Sequence, residues 1–257
     1  MNAVEWSGLD DAELSAFADA VARVARDLAR TVPAPRGAPL FGLDMAIADP
    51  EILDRFSRHG IFRKYQRAIA LGSGLGGIAR WWSVHFGCTV LSVDPHAGLI
   101  AAAERLGRPA RLTARTTFRA APLDNLPLRA EQFTHAWSID ALAAVANPDA
   151  VLHEAWRVLR PAGLLTAILP GAAIDAPEIV GWAARVAAAG FLGIVVKALP
   201  PAELPYSVYY AEHVLRGALA STFSDELRPR LLALAARLDA ERSSRIPRVI
   251  LFAERPS

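Results

Sequence analysis

Six residues, Gly72-Ser73-Gly74-Leu75-Gly76-Gly77, restrict the folds open to this 257-residue chain more than any other stretch. They follow the apolar run Ala68–Leu71 and open a helix-patterned segment from Gly77 to Phe86, so the chain must turn sharply between a strand and a helix. Glycines suit that turn because they tolerate left-handed backbone and let a ligand approach without a Cβ in the way. A second apolar run, Thr89–Val93, ends at Asp94, twenty positions after Gly74. A carboxylate at that strand tip can accept hydrogen bonds from both hydroxyls of a ribose, and Pro95 beside it offers a ring to an adenine face. The spacing suits a dinucleotide oxidoreductase and a nucleoside-binding transferase equally well.

The pattern continues as short apolar runs alternating with helices, the signature of parallel βαβ units. Further strands are expected at Phe133–Trp137 and Leu164–Leu169, with a weaker one around Leu112–Phe118, and helices at Ala97–Leu106 and Asp149–Leu159. Right-handed crossovers then give a doubly wound α/β sheet that binds its ligand at the carboxyl ends of the strands. A helix over Pro177–Ala189, a strand over Phe191–Leu199, a helical insertion at about 206–240 and a last strand at Arg248–Ala253 complete the chain. Ahead of the sheet, amphipathic helices are expected over Ala12–Arg30 and near Asp49–Gly60. Residues 1–60 therefore read as an N-terminal helical cap on an α/β domain of residues 61–257.

Charge and cysteine content exclude several function classes. Lys and Arg total 28 against 26 Asp and Glu, too small an excess for a broad nucleic-acid-binding face. The single Cys88 excludes an intramolecular disulfide framework and a multi-cysteine zinc site, and no metal is expected. The longest apolar run, Ala187–Val196, is cut by Lys197 and is too short to span a membrane. The acidic start, MNAVEWSGLDDAEL, lacks the basic residues of a secretory signal, so a cytoplasmic location is expected.

Three stretches sharpen the functional reading: ALGSGLGGIARWWSVHFGCTVLSVDPHAGLIAAAERL, LPLRAEQFTHAWSIDAL and VLHEAWRVLRPAGLLTAIL. In this order and separation, from Gln66 to Leu169, the chain resembles class I S-adenosylmethionine (SAM)-dependent methyltransferases. The likeness is greatest to the small-molecule branch that includes sarcosine and dimethylglycine, tocopherol and quinone methyltransferases. The resemblance implies a seven-stranded, mostly parallel sheet whose last strand is antiparallel, with SAM as cofactor. It also implies that Gly72, Ser73, Gly74, Gly76 and Asp94 line that cofactor, and Pro95 and Ser138 are placed there with them.

The chain also departs from the family pattern. Ala70 stands where relatives carry an acid two positions before the first glycine, and Pro122 falls near their adenine-binding acid. Thr134, Ala144 and Ala162 stand where relatives often have Asp, His and Gly. Two readings consequently stay open: methyl transfer from SAM to a small molecule, or a catalytically inactive methyltransferase fold serving as a binding or assembly factor for a protein partner. The later motifs count against the oxidoreductase. On the acceptor side, Asp140 follows the fourth strand and is a candidate base or a loop carboxylate. Tyr206 and Tyr209, with Tyr210 and His213, open the insertion and are candidates to enclose a small ligand or to anchor the insertion. Trp81 and Trp82 read as core, and Arg105, Arg108, Arg111, Arg115 and Arg119 as a solvated face.

Overall fold

A computed structural model describes residues 10, 12, 15, 66–107, 115–171, 173–199 and 247–257, the side chains of Trp81, Val84 and His85 excepted. Ala12 and Ser15 are helical. The rest of the expected N-terminal cap, the insertion at 206–240 and with it Tyr206 and Tyr209 lie outside the described residues.

The described chain runs β1 (Arg67–Leu71), α1 (Gly77–Phe86), β2 (Thr89–Asp94), α2 (Ala97–Gly107), β3 (Thr116–Ala120), β4 (Phe133–Ile139), α3 (Pro148–Val158), β5 (Leu159–Pro170), α4 (Pro177–Ala188), β6 (Leu192–Ala198) and β7 (Arg248–Glu254). The strands form one sheet in the order β3-β2-β1-β4-β5-β7-β6. Neighbours from β3 to β5 pair in parallel, and β7 lies antiparallel between β5 and β6. The expected α/β fold with an antiparallel last strand is therefore present. Strand order reverses between β1 and β4, and in such sheets ligands bind at the carboxyl edge beside this switch point.

Side-chain alternation along β1 explains how both faces are filled. Ile69 and Leu71 join one cluster with Val151, Leu152 and Ala155 of α3 and Ile179 and Val186 of α4. Ala68 and Ala70 join another with Ile78, Ala79 and Trp82 of α1. There Trp82 stacks on Trp137 of β4 with ring centroids 4.2 Å apart, so the core role expected for Trp82 is met. Two helix starts are also built locally. Asn147 caps α3 by accepting from the Ala150 N–H (3.2 Å) ahead of Pro148, and Pro177 opens α4.

Several boundaries differ from the sequence expectation, two of them for a reason visible in the ladder. The third strand ends at Ala120 rather than Phe118 because the ladder with β2 continues to Asp94↔Ala120. The fifth begins at Leu159, the last residue of the expected helix, rather than at Leu164: Leu159 is already extended and pairs with Phe133, and Ala162 takes a left-handed conformation (φ 57) at a register shift. Arg255, 8% exposed just beyond β7, holds this corner. Its Nη1 donates to the Trp156 and Leu159 carbonyls, Nη2 donates to Glu131 (2.7 Å), and the guanidinium lies 3.9 Å from the Trp156 ring centroid.

Candidate functional site

At the end of β1 the parallel ladder gives way to a loop. The Gly72 and Ser73 N–H groups both donate to the Val93 carbonyl (2.9 and 3.1 Å), and the Gly76 N–H donates to the Ser73 carbonyl (2.9 Å). Gly72, Gly74 and Gly76 all have positive φ, at 73°, 53° and 72°. Close packing adds to the demand for glycine. A Cβ on Gly72 would stand 2.2 Å from the Ala141 Cβ, and one on Gly76 2.2 Å from the Phe118 ring. The Gly76 carbonyl then accepts from the Arg80 N–H and opens α1.

Asp94 is where the sequence placed it, at the tip of β2 and turned toward the loop. One carboxylate oxygen accepts from the Gly74 N–H (2.9 Å) and the other from the His96 N–H (3.0 Å). It is 5% exposed. Burial raises its pKa above the ordinary 3.8, and the two N–H donors oppose that rise. The acid therefore braces the turn. A carboxylate has about four lone-pair positions, so acceptor capacity remains on the ligand side. The Ser73 Oγ in the same loop is buried and has no hydrogen-bond partner among the described residues. Pro95 is exposed beside Asp94.

On the β4 side the Ser138 Oγ is buried and accepts from the Leu142 N–H (3.2 Å), fixing the turn after the strand. Asp140 sits at φ 59, and its N–H donates to the Ile168 carbonyl (3.0 Å). Its carboxylate accepts a side-on pair from Arg248, Nε to Oδ1 and Nη2 to Oδ2, each at 3.1 Å. Both oxygens are thus engaged, which suits a fixed structural carboxylate better than a general base. Ala141, the next residue, is the one against Gly72, so the β1 and β4 loops touch at the crevice.

The structure accounts for one departure from the family pattern. Ala70 is 2% exposed and pairs with Ser92 and Trp137 in mid-sheet, on the face where Trp82 and Trp137 stack. A methyl group fits there, whereas a carboxylate would need a charged or N–H partner. Pro122 is exposed, and so is Asp124. Sequence reasoning did not anticipate Arg248, Ala141 or Phe118. The only signal for Arg248 was its place at the start of the last strand.

Comparison with known proteins agrees with this architecture. Residues 69–167 match the family model described as a methyltransferase domain. A malonyl-[acyl-carrier protein] O-methyltransferase of Enterobacter lignolyticus (strain SCF1) is 32% identical over 117 residues, 46% of this chain and 43% of that protein. The chain matches less than half the length of the curated relatives. Among solved structures, the [4+2]-cyclase SpnF has TM-score 0.62 at 20% identity, over 80% of each chain. A sarcosine dimethylglycine methyltransferase from Galdieria sulphuraria has TM-score 0.60 at 16% identity, over 80% of this chain and 84% of that one. Phosphoethanolamine N-methyltransferase 2 of Haemonchus contortus, bound to phosphomonomethylethanolamine and S-adenosylhomocysteine, has TM-score 0.62 at 20% identity, over 90% of this chain and 59% of that one. These likenesses show a shared fold.

Proposed function

We propose that the protein, whose residues 69–167 match a methyltransferase-domain family model, transfers a methyl group from SAM to a small-molecule acceptor. The observation that carries the reading is the joint between Asp94 and the glycine loop. The Gly74 N–H to Asp94 bond fixes the loop and the strand-tip acid relative to each other before any ligand arrives. Preorganisation of this kind lowers the cost of ordering a site on binding.

The residues fit the cofactor. Asp94 retains acceptor capacity for ribose hydroxyls, the buried Ser73 Oγ, unpartnered among the described residues, supplies a polar contact in the loop, and three positive-φ glycines keep the backbone open. When bound, SAM supplies an activated methyl group on a sulfonium, open to in-line attack. The chain's task is then to hold the acceptor in line and exclude water, a contribution made chiefly by positioning. Pro95 and Ser138 belong to the cofactor side of this reading, and Asp140, Tyr206 and Tyr209 to the acceptor side. The solved structures named above include two methyltransferases of small nitrogen compounds, which supports a small-molecule acceptor without choosing the acceptor atom. No helix among the described residues is long and apolar enough to cross a membrane. The lone Cys88 suits a reducing cytoplasm, where we place the protein.

Titration calorimetry with SAM and S-adenosylhomocysteine tests the reading. Binding should be detectable, and Asp94→Ala should weaken it by about tenfold or more, the loss of charge-assisted hydrogen bonds worth about 1.5 to 3 kcal/mol each. No heat at millimolar ligand, or unchanged affinity in a folded Asp94→Ala protein, would refute it.

A further inference from the structure

Five strand tips, of β2, β1, β4, β5 and β7, lie side by side along the carboxyl edge of the sheet. Asp94 ends β2, Gly72 follows β1, Asp140 follows β4, and Arg248 begins β7 opposite Pro170 at the end of β5. Asp94 and the glycine loop take the nucleoside half of that row in the reading above. The other half is defined by the Asp140–Arg248 pair, which joins residues 108 positions apart.

An arginine carries five N–H donors arranged as a side-on fork (Nε and Nη2) and an end-on fork (Nη1 and Nη2). Asp140 engages the side-on fork of Arg248 alone. Among the described residues the end-on fork meets no acceptor, and the side chain is 28% exposed. Asp140 also holds a positive φ, a conformation that strains a non-glycine residue and is retained where surrounding structure enforces it. Its N–H bond to the Ile168 carbonyl supplies that enforcement from β5. The guanidinium is thus clamped in orientation by a strained, doubly anchored carboxylate, and its free fork has the geometry that accepts two oxygens of one anion.

Resting on the methyltransferase reading, we propose that Arg248 is an acceptor-recognition residue: its end-on fork binds a carboxylate or phosphate group of the methyl acceptor, and Asp140 is its positioning residue. The acceptor is then an acidic small molecule. Asp140 acts through Arg248 and takes no proton from the acceptor.

The test uses the full chain saturated with S-adenosylhomocysteine and titrated with two probes, inorganic phosphate and malonate, by calorimetry. At least one probe should bind at one site per chain. Arg248→Lys keeps the charge and a contact to Asp140 but loses the fork, and should weaken that binding by about tenfold. Asp140→Asn loosens the clamp while leaving the fork and the positive charge in place, and should weaken anion binding by several-fold, less than Arg248→Lys does. A pair that serves stability alone predicts lower melting temperatures in both variants with no selective change in anion binding. Absence of binding by both probes at tens of millimolar, or equal binding in wild type and Arg248→Lys, overturns the proposal. Unchanged or tighter anion binding in a folded Asp140→Asn protein overturns the positioning role of Asp140. Because S-adenosylhomocysteine affinity is measured first, and the anion titrations are repeated without it, failure of the cofactor reading is distinguishable from failure of this one.

Discussion

Replacing Gly72 by Ala separates two demands that the glycine loop makes on its backbone. The first is conformational: at φ 73 an L-residue costs about 1 to 2 kcal/mol. The second is steric. The new Cβ would lie 2.2 Å from the Ala141 Cβ and 3.7 Å from its Cα, atoms with no side-chain rotation by which to escape. Overpacking of this kind costs about 1 to 3 kcal/mol, so Gly72→Ala should destabilise the protein by about 2 to 5 kcal/mol in total. Ala141→Gly removes the atom that is struck and leaves φ unchanged. In the double variant the penalty for Gly72→Ala should shrink to the conformational part, giving a coupling of about 1 to 3 kcal/mol between the two sites. Urea denaturation of the four proteins, followed by tryptophan fluorescence and far-ultraviolet circular dichroism, reads this directly from the midpoints if the m-values agree. Strict additivity, with Gly72→Ala as costly in the Ala141→Gly background as in the wild type, would show that the two loops do not bear on each other and would refute the packing argument.

Three further outcomes are expected. Because burial holds the Asp94 pKa above 3.8, folding favours its protonated form, and stability falls as the pH rises through 3.8 toward the raised value. By the same shift, S-adenosylhomocysteine affinity should decline on acidification sooner than an ordinary aspartate would require; calorimetry at several pH values should show a flatter profile for Asp94→Asn, and identical profiles would disprove it. Arg157, at 2.6 Å, is the main cause of the lowering of the Glu154 pKa below 4.5, and Glu154 also accepts from the Leu126 N–H (2.7 Å). Its contribution is present above 4.5 and is lost as the pH falls through the folded value. With the arginine side chain 35% exposed, Glu154→Gln should cost only about 1 kcal/mol near neutrality. Denaturation midpoints that differ by the same amount at acidic and neutral pH would contradict this. Cys88 is fully buried and its thiol is pushed up to about 11 by burial, so iodoacetamide should label it only after unfolding; prompt labelling of the native protein, read by mass spectrometry, would count against that packing.

Local signals made much of the fold readable. The glycine loop and Asp94 could be placed because strand, turn, helix and acid follow one another within a short stretch, and α3 and α4 because prolines and apolar spacing coincide. What stayed hidden depends on residues far apart in the chain. Nothing near Asp140 announces that its partner is Arg248, since that contact exists only once β7 is inserted beside β5. Nothing in the sequence marks Arg80 or Arg255 as buried, since arginine is rarely enclosed unless paired. Each is almost wholly enclosed, with Arg80 donating to the Ala103 carbonyl (3.2 Å) and Arg255 to carbonyls at the end of α3. The start of β5 was hidden because Pro161, Ala162 and Gly163 lack strand patterning, and only the pairing of Leu159 with Phe133 reveals it.

The reversed course of β7 has a consequence for how such a protein can diversify. β6 finishes, and β7 sets out, on the same rim of the sheet that carries Asp94 and Asp140. The chain joining Ala198 to Arg248 therefore departs from and rejoins the scaffold beside the crevice, so its length and composition can change without shifting a single rung of the ladder. New acceptor preferences can evolve there while the nucleoside end of the rim is left alone.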